Sequence, residues 1–207
     1  MSGILADNTG RASGLLKAVT VSQDVVKIVT ASASGSATTF SIDNCFDDTT
    51  YSYYKVLWTG FAGASGTNAM VVDFRFLDAS GSVLTDSTYR SGYRTHYLNN
   101  TTNTVNNYNN WNDSAVSLHG DNINQFDDNY KPASGEMIIY KPQNTTWHPE
   151  FCWKCTSDDG SGTSQWNNDG VGYYVGTKVA HRGIHFFTNT SDNFYTSSTV
   201  TVYGFKT

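Results

Sequence analysis

Apolar and polar residues alternate with a period of two along several short stretches of this chain, and no 3.6-residue period runs for more than two turns. In residues 70–77, Met70, Val72, Phe74 and Phe76 fall on one side and Val71, Asp73, Arg75 and Leu77 on the other. That is the pattern of a strand with one apolar and one charged face. Upstream, Tyr53–Phe61 is dense in the aromatic and β-branched residues that suit a pleated, half-buried surface. Gly-Ala-Ser-Gly at 63–66 supplies turn residues between the two. Residues 51–81 are therefore expected to form an antiparallel hairpin around which the rest is organised, and a hairpin with one apolar face needs a second sheet to cover it.

The same criteria place further strands at 17–30, 40–42 and 115–119, and at 135–140, 150–156, 171–180, 183–188 and 198–205, the last five short and closed by Gly, Pro, Asp or Asn. Residues 31–37 (ASASGSA) read as a linker or a loop. Residues 89–132 carry Tyr89, Tyr93, Tyr97, Tyr108 and Trp111 among many Asn and Thr and read as the least regular part, with a single strand near 115–119. Residues 1–16 hold two Gly-bounded turns and no sustained periodicity, so they are expected to be an extended arm. Many short strands with turns between them predict an all-β protein, an antiparallel β-sandwich of jelly-roll type over residues 17–207.

Composition narrows the function. Charged residues are 15% of the 207, against about 25% in average chains, and Asn, Ser, Thr, Gly and Tyr fill the difference. A net charge of −5 argues against a phosphate-tracking groove, so no nucleic-acid partner is expected. No basic segment followed by an apolar run opens the sequence and none approaches a membrane span, so a soluble protein made in a cytosol is expected. Cys45, Cys152 and Cys155 are odd in number and widely spaced, which predicts free thiols.

Three stretches, GILADNTGRASGLLKA, DNCFDDTTYSYYKVLWTGF and the closing SSTVTVYGFKT, resemble small virion structural proteins of tailed phages, especially marine and cyanobacterial ones. The resemblance covers both ends and the first third of the domain, and residues 89–170 lie outside it. It implies a non-enzymatic component of the particle exterior, assembled in the host cytoplasm and commonly trimeric, in which residues 2–16 dock onto another virion protein; within that arm the expected docking residues are Ile4, Leu5, Asn8, Arg11, Leu15 and Leu16, and the apolar four are expected to be buried on binding. A tail fibre or tail tip is the leading expectation. A capsid decoration protein is the second, and a carbohydrate-binding module or polysaccharide hydrolase is the third.

Several spacings invite chemistry. Cys152-Trp-Lys-Cys155 with His148 and Cys45 makes a zinc set on paper, but a strand puts the two thiols on opposite faces, so no metal is expected. His181 and His185 lack a helical Glu partner and read as structural or surface histidines. The acidic doublets at 47–48, 127–128 and 158–159 lack the alternating calcium-loop form, and no catalytic constellation or cofactor is expected. Tyr108, Trp111, Trp147 and Trp166 lie in stretches crowded with amides and hydroxyls, taken as loops, where a flat ring beside polar groups suits glycan contact. The alternative for them is packing between subunits or capping the sandwich. Trp58 and Trp153 alternate with strand neighbours and are expected in the core.

Overall fold

The computed structural model describes residues 24–63, 71–99, 101–118, 133–158, 164–189 and 193–206. The arm residues Ile4, Leu5, Asn8, Arg11, Leu15 and Leu16 lie outside them. The described chain is all β, with strands β1 (Val25–Ser32), β2 (Thr39–Ile42), β3 (Tyr53–Phe61), β4 (Val72–Leu77), β5 (Tyr89–Asn99), β6 (Asn103–Asp113), β7 (Val116–Ser117), β8 (Ala133–Tyr140), β9 (Glu150–Asp158), β10 (Ser164–Tyr174), β11 (Gly183–Thr188) and β12 (Thr199–Phe205). They form two antiparallel sheets. The large one runs β1-β12-β3-β8-β9-β10-β5-β6 and the small one β2-β11-β4-β7.

Four strand pairs nest inside one another: β4 with β7, β3 with β8, β2 with β11 and β1 with β12. The nested strands cross repeatedly between the sheets. Two further hairpins, β5–β6 and β9–β10, are inserted between β4 and β7 and between β8 and β11, and they widen the large sheet beyond β8.

The core fills the space between the sheets, because alternate residues of each strand point inward. From β4, Phe74 and Phe76 meet Phe151 of β9 with ring centroids 5.0 and 5.9 Å apart. From β11, Phe186 meets Phe61 of β3 at 5.5 Å. The Tyr89 hydroxyl crosses the core and accepts the Phe76 backbone N–H at 2.9 Å. Trp58 and Trp153 are buried, as their alternation predicts. Each lies over a glycine of the next strand: a Cβ on Gly135 would come within 2.3 Å of the Trp58 ring, and one on Gly170 within 2.3 Å of the Trp153 ring. The missing side chains are what let two indoles lie flat on the sheet.

Several expectations need correction. β3 and β4 do not form a hairpin: β3 pairs with β12 and β8 in the large sheet, β4 with β11 and β7 in the small one. Their apolar sides face each other across the core instead of lying side by side, and alternation reveals the buried face without naming the neighbour. The charged side of β4 is also covered, since Asp73 is buried and Arg75 lies over the Phe187 ring at 4.3 Å while donating to the Ser114 carbonyl at 2.8 Å.

Residues 89–113 are not irregular but form β5 and β6, two eleven-residue strands. β5 alternates Tyr89, Ser91, Tyr93, Thr95 and Tyr97 on its core side, and β6 is an Asn-rich edge held by pairing with β5. The strand expected at 115–119 is the two-residue β7. The one expected at 17–30 begins at Val25 among the described residues, and the one at 171–180 is shifted back to Ser164–Tyr174. Residues 33–38 are a loop within the sandwich.

Candidate binding face

Register across the large sheet lines up residues far apart in sequence on its outer face. Following the pairs from β12 to β6, Phe205, Tyr53, Tyr140, Glu150, Tyr173, Arg90 and Trp111 are successive neighbours. At a strand spacing of about 4.8 Å this is a band across seven strands, with aromatic rings on five of them and Glu150 and Arg90 on the other two. Phe205 stacks on Tyr53 at 4.5 Å, and Tyr53 lies 6.0 Å from Tyr140. The Arg90 guanidinium sits 5.4 Å from the Trp111 ring centre and 6.0 Å from that of Tyr173, holding two rings in place by cation–π attraction.

Two more rows run parallel to this band. Lys55, Ile138, Cys152, Val171, Gly92 and Asn109 make a mainly apolar floor, with Val171 63% exposed. Beyond it, Glu136, Lys154, Asp169, Arg94 and Asn107 alternate in charge. Lys55 bridges to Glu136 at 2.6 Å, Arg94 to Asp169 at 3.4 Å, and His96 lies 3.9 Å from the same carboxylate. Opposite charges in adjacent registers satisfy one another without closing the surface.

The face is hollow. One depression of about 710 Å³ lies over the floor and charged rows, and a second of about 360 Å³ lies between Trp111, Tyr140 and Tyr173. A third, of about 270 Å³, is lined by Tyr140, Trp147, His148 and Glu150. The first two share Cys152 and Val171, and the last two share Tyr140 and Glu150, so they form one trough.

Local geometry aims its two tryptophans. In β6 the register slips: Trp111 pairs with Arg90 and Asp113 with Tyr89, leaving Asn112 as a bulge at φ 62°. Asn tolerates that left-handed conformation, and Trp111 stands 67% exposed beside Arg90. Between β8 and β9 the Asn144 side-chain oxygen accepts the backbone N–H groups of Thr146 at 2.7 Å and Trp147 at 2.9 Å. This Asx turn presents Trp147, 71% exposed, at the end of the trough.

The four residues expected to contact glycan are thus divided. Trp111 and Trp147 line the trough, although Trp111 is on a strand. Tyr108 and Trp166 are on strands too, not in loops, and face the core side: Tyr108 stacks on the buried Tyr93 at 4.9 Å, and the half-buried Trp166 lies 4.1 Å from Tyr97. Tyr53, Tyr140, Tyr173, Phe205 and Arg90 were missed. Alternation in GEMIIY already separates Tyr140 from Met137 and Ile139, but only register brings these residues to one band.

The remaining spacings stay apart. Cys152 is on the trough floor, whereas Cys155 is buried on the opposite side of β9 and Cys45 is buried after β2. Burial pushes both the Cys45 and Cys155 thiols up to about 12, so neither is a reactive thiolate at neutral pH. His181 is buried against Phe76, while His185 is hydrogen-bonded to Ser41 at 2.8 Å. Among the described residues no three His, Cys, Asp or Glu side chains cluster as metal ligands. Asp47 is held low by its Thr49 and Thr50 hydroxyl partners, and burial raises Asp48. Asp127, Asp128, Asp159 and the Asp158 side chain lie outside the described residues. No helix among the described residues is long and apolar enough to cross a membrane. Comparison of the chain with known protein families, curated proteins and solved structures finds no match.

Proposed function

We propose that this is a non-enzymatic structural protein of a phage particle exterior, a tail-fibre or tail-tip component whose outer sheet face grips a host-surface polysaccharide. The observation that carries the glycan part is that Tyr140, Tyr173 and Trp111 of the aromatic band, with Trp147 beyond Tyr140, lie along a trough rather than at a closed pocket. Exposed rings give apolar platforms for sugar C–H faces, and Asn107, Asn109, Glu150 and Asp169 beside them offer partners for hydroxyls. An open trough suits a chain that enters and leaves at both ends. The nested order of the strand pairs supports reading the sandwich as a jelly roll, and the sequence resemblance supports the virion setting and the docking of residues 2–16.

Affinity electrophoresis in gels containing purified bacterial surface polysaccharides tests the glycan reading. Retardation by at least one of them is expected, with Trp111→Ala and Trp147→Ala each weakening it by about tenfold or more, equivalent to about 1.4 kcal/mol. Trp166→Ala, on the other side of the sheet, should bind as the wild type does. Retention unchanged by both trough variants overturns the assignment. Placement in the particle is tested separately, by copy number against the major capsid protein. A few dozen copies or fewer fit the tail, whereas a ratio near one or one third makes the protein a capsid decoration.

A further inference from the structure

β6 ends the large sheet, and among the described residues no strand pairs with its outer side. Edge strands in soluble proteins are usually short, or guarded by lysine, proline or inward-pointing charge. This one is eleven residues long, contains no Lys, Arg or Pro, and has Asp113 at its very end as the sole charge. It also leaves Val105 48% and Trp111 67% exposed on one face.

The sequence of that edge is a chemical palindrome. Read outward from Tyr108, Asn107 and Asn109 correspond, then Asn106 and Asn110, then Val105 and Trp111. We propose that β6 pairs antiparallel with β6 of a second copy of this chain, about a two-fold axis at Tyr108. A two-fold interface must be self-complementary, with residue i meeting j and j meeting i. In this register each Val105 lies opposite the partner copy's Trp111, so two apolar pairs now standing in water cover each other. Asn107 faces Asn109 and Asn106 faces Asn110, which places amide beside amide, and no like charges meet. The Asn112 bulge ends the regular edge just beyond Trp111, so pairing spans residues 105–111 of both copies. The eight-stranded sheet continues into a second one, and the two outer faces become continuous across the axis. None of this depends on the polysaccharide reading.

Sedimentation equilibrium of the full chain, at micromolar to tens of micromolar concentration, provides the test. The expected species is a dimer of twice the 22.7 kDa chain mass. N107E/N109E places Glu against Glu at both symmetric contacts and should weaken association at least tenfold. N107E/N109K places Glu against Lys in the same register and should retain the dimer. Both native side chains are exposed and Asn107 pairs with Arg94, so a carboxylate at position 107 is accommodated within the monomer, and circular dichroism verifies that each variant is folded. A monomeric wild type, or the trimer that the sequence resemblance implies, overturns the proposal. So does association that N107E/N109E leaves unchanged, or a loss of dimer in N107E/N109K equal to that in N107E/N109E.

Discussion

Phe74→Ala is expected to lower the stability of the fold by about 3–5 kcal/mol, the usual result of removing a fully buried aromatic ring. Phe74 is inaccessible to solvent and belongs to the small sheet, but its ring meets Phe151 of the large sheet at 5.0 Å, as well as Phe76 at 5.7 Å and Tyr89 at 6.5 Å. Truncation therefore removes contacts on both sides of the core at once. Backbone pairing of β4 with β11 resists collapse of the sheets into the space left, so most of the cavity cost remains. Against a total of about 5–15 kcal/mol for an ordinary domain, that is a large share. Urea unfolding followed by circular dichroism measures it, with Trp147→Ala as a contrast expected within about 0.5 kcal/mol of the wild type because its ring stands in water, away from the β6 edge. A loss below about 1 kcal/mol at Phe74 would contradict a core shared by the two sheets.

The second large effect is pH dependence. His181 is fully buried, stacked on Phe76 at 4.8 Å and edge-on to Tyr174 at 5.2 Å, and neither ring nitrogen has a hydrogen-bond partner among the described residues. Burial lowers its pKa to about 4, against the smaller opposing pull of Asp78 and Asp86. Below the unfolded value of about 6.5 the unfolded chain takes up a proton that the folded one refuses, so stability falls as pH drops from about 6.5 to about 4. The full difference is about 3 kcal/mol. His181→Phe keeps the stacking and removes the titration, so its stability should be higher than that of the wild type at about pH 4.5 and flatter across the window. His185, lowered by burial with Arg75 nearby, titrates in the same direction and remains in both proteins. Asp43, Asp47 and Asp78, held low by their hydrogen-bond partners, act only at more acid pH. Equal slopes for wild type and His181→Phe between about pH 4.5 and 6.5 would rule out a buried neutral imidazole.

What the sequence made legible follows from how each strand is used. β11, Gly183–Thr188, is legible to the residue because its apolar run is bounded by clear breaks. Trp58 and Trp153 were placed in the core because alternation reports which side of a strand is buried. Alternation does not report the neighbouring strand, and so two strands that face each other across the core passed for a hairpin. β6 escaped altogether: an edge strand of six asparagines has no apolar face, and Asn is poor in intrinsic β propensity, so only pairing with β5 makes it a strand. Tyr108 and Trp166 are hidden in the same way, because their amide-rich stretches read as loops and a loop has no inside. The aromatic band joins Phe205 to Trp111 through five other strands, and that register is set by the whole sheet.

The nested pairing also governs when the molecule can fold. β12 lies between β1 and β3, and its residues pair with strands roughly 140 to 180 positions earlier, Val25 with Phe205 and Thr59 with Thr199 among them. Chain closure over such separations is slow, and contact order of this kind belongs to the slow end of the folding scale. During synthesis, β1 and β3 must wait with their facing edges open until residue 205 has left the ribosome. The nascent chain thus carries exposed strand edges for most of its translation, and the closing event is the insertion of one strand between two that were made long before it.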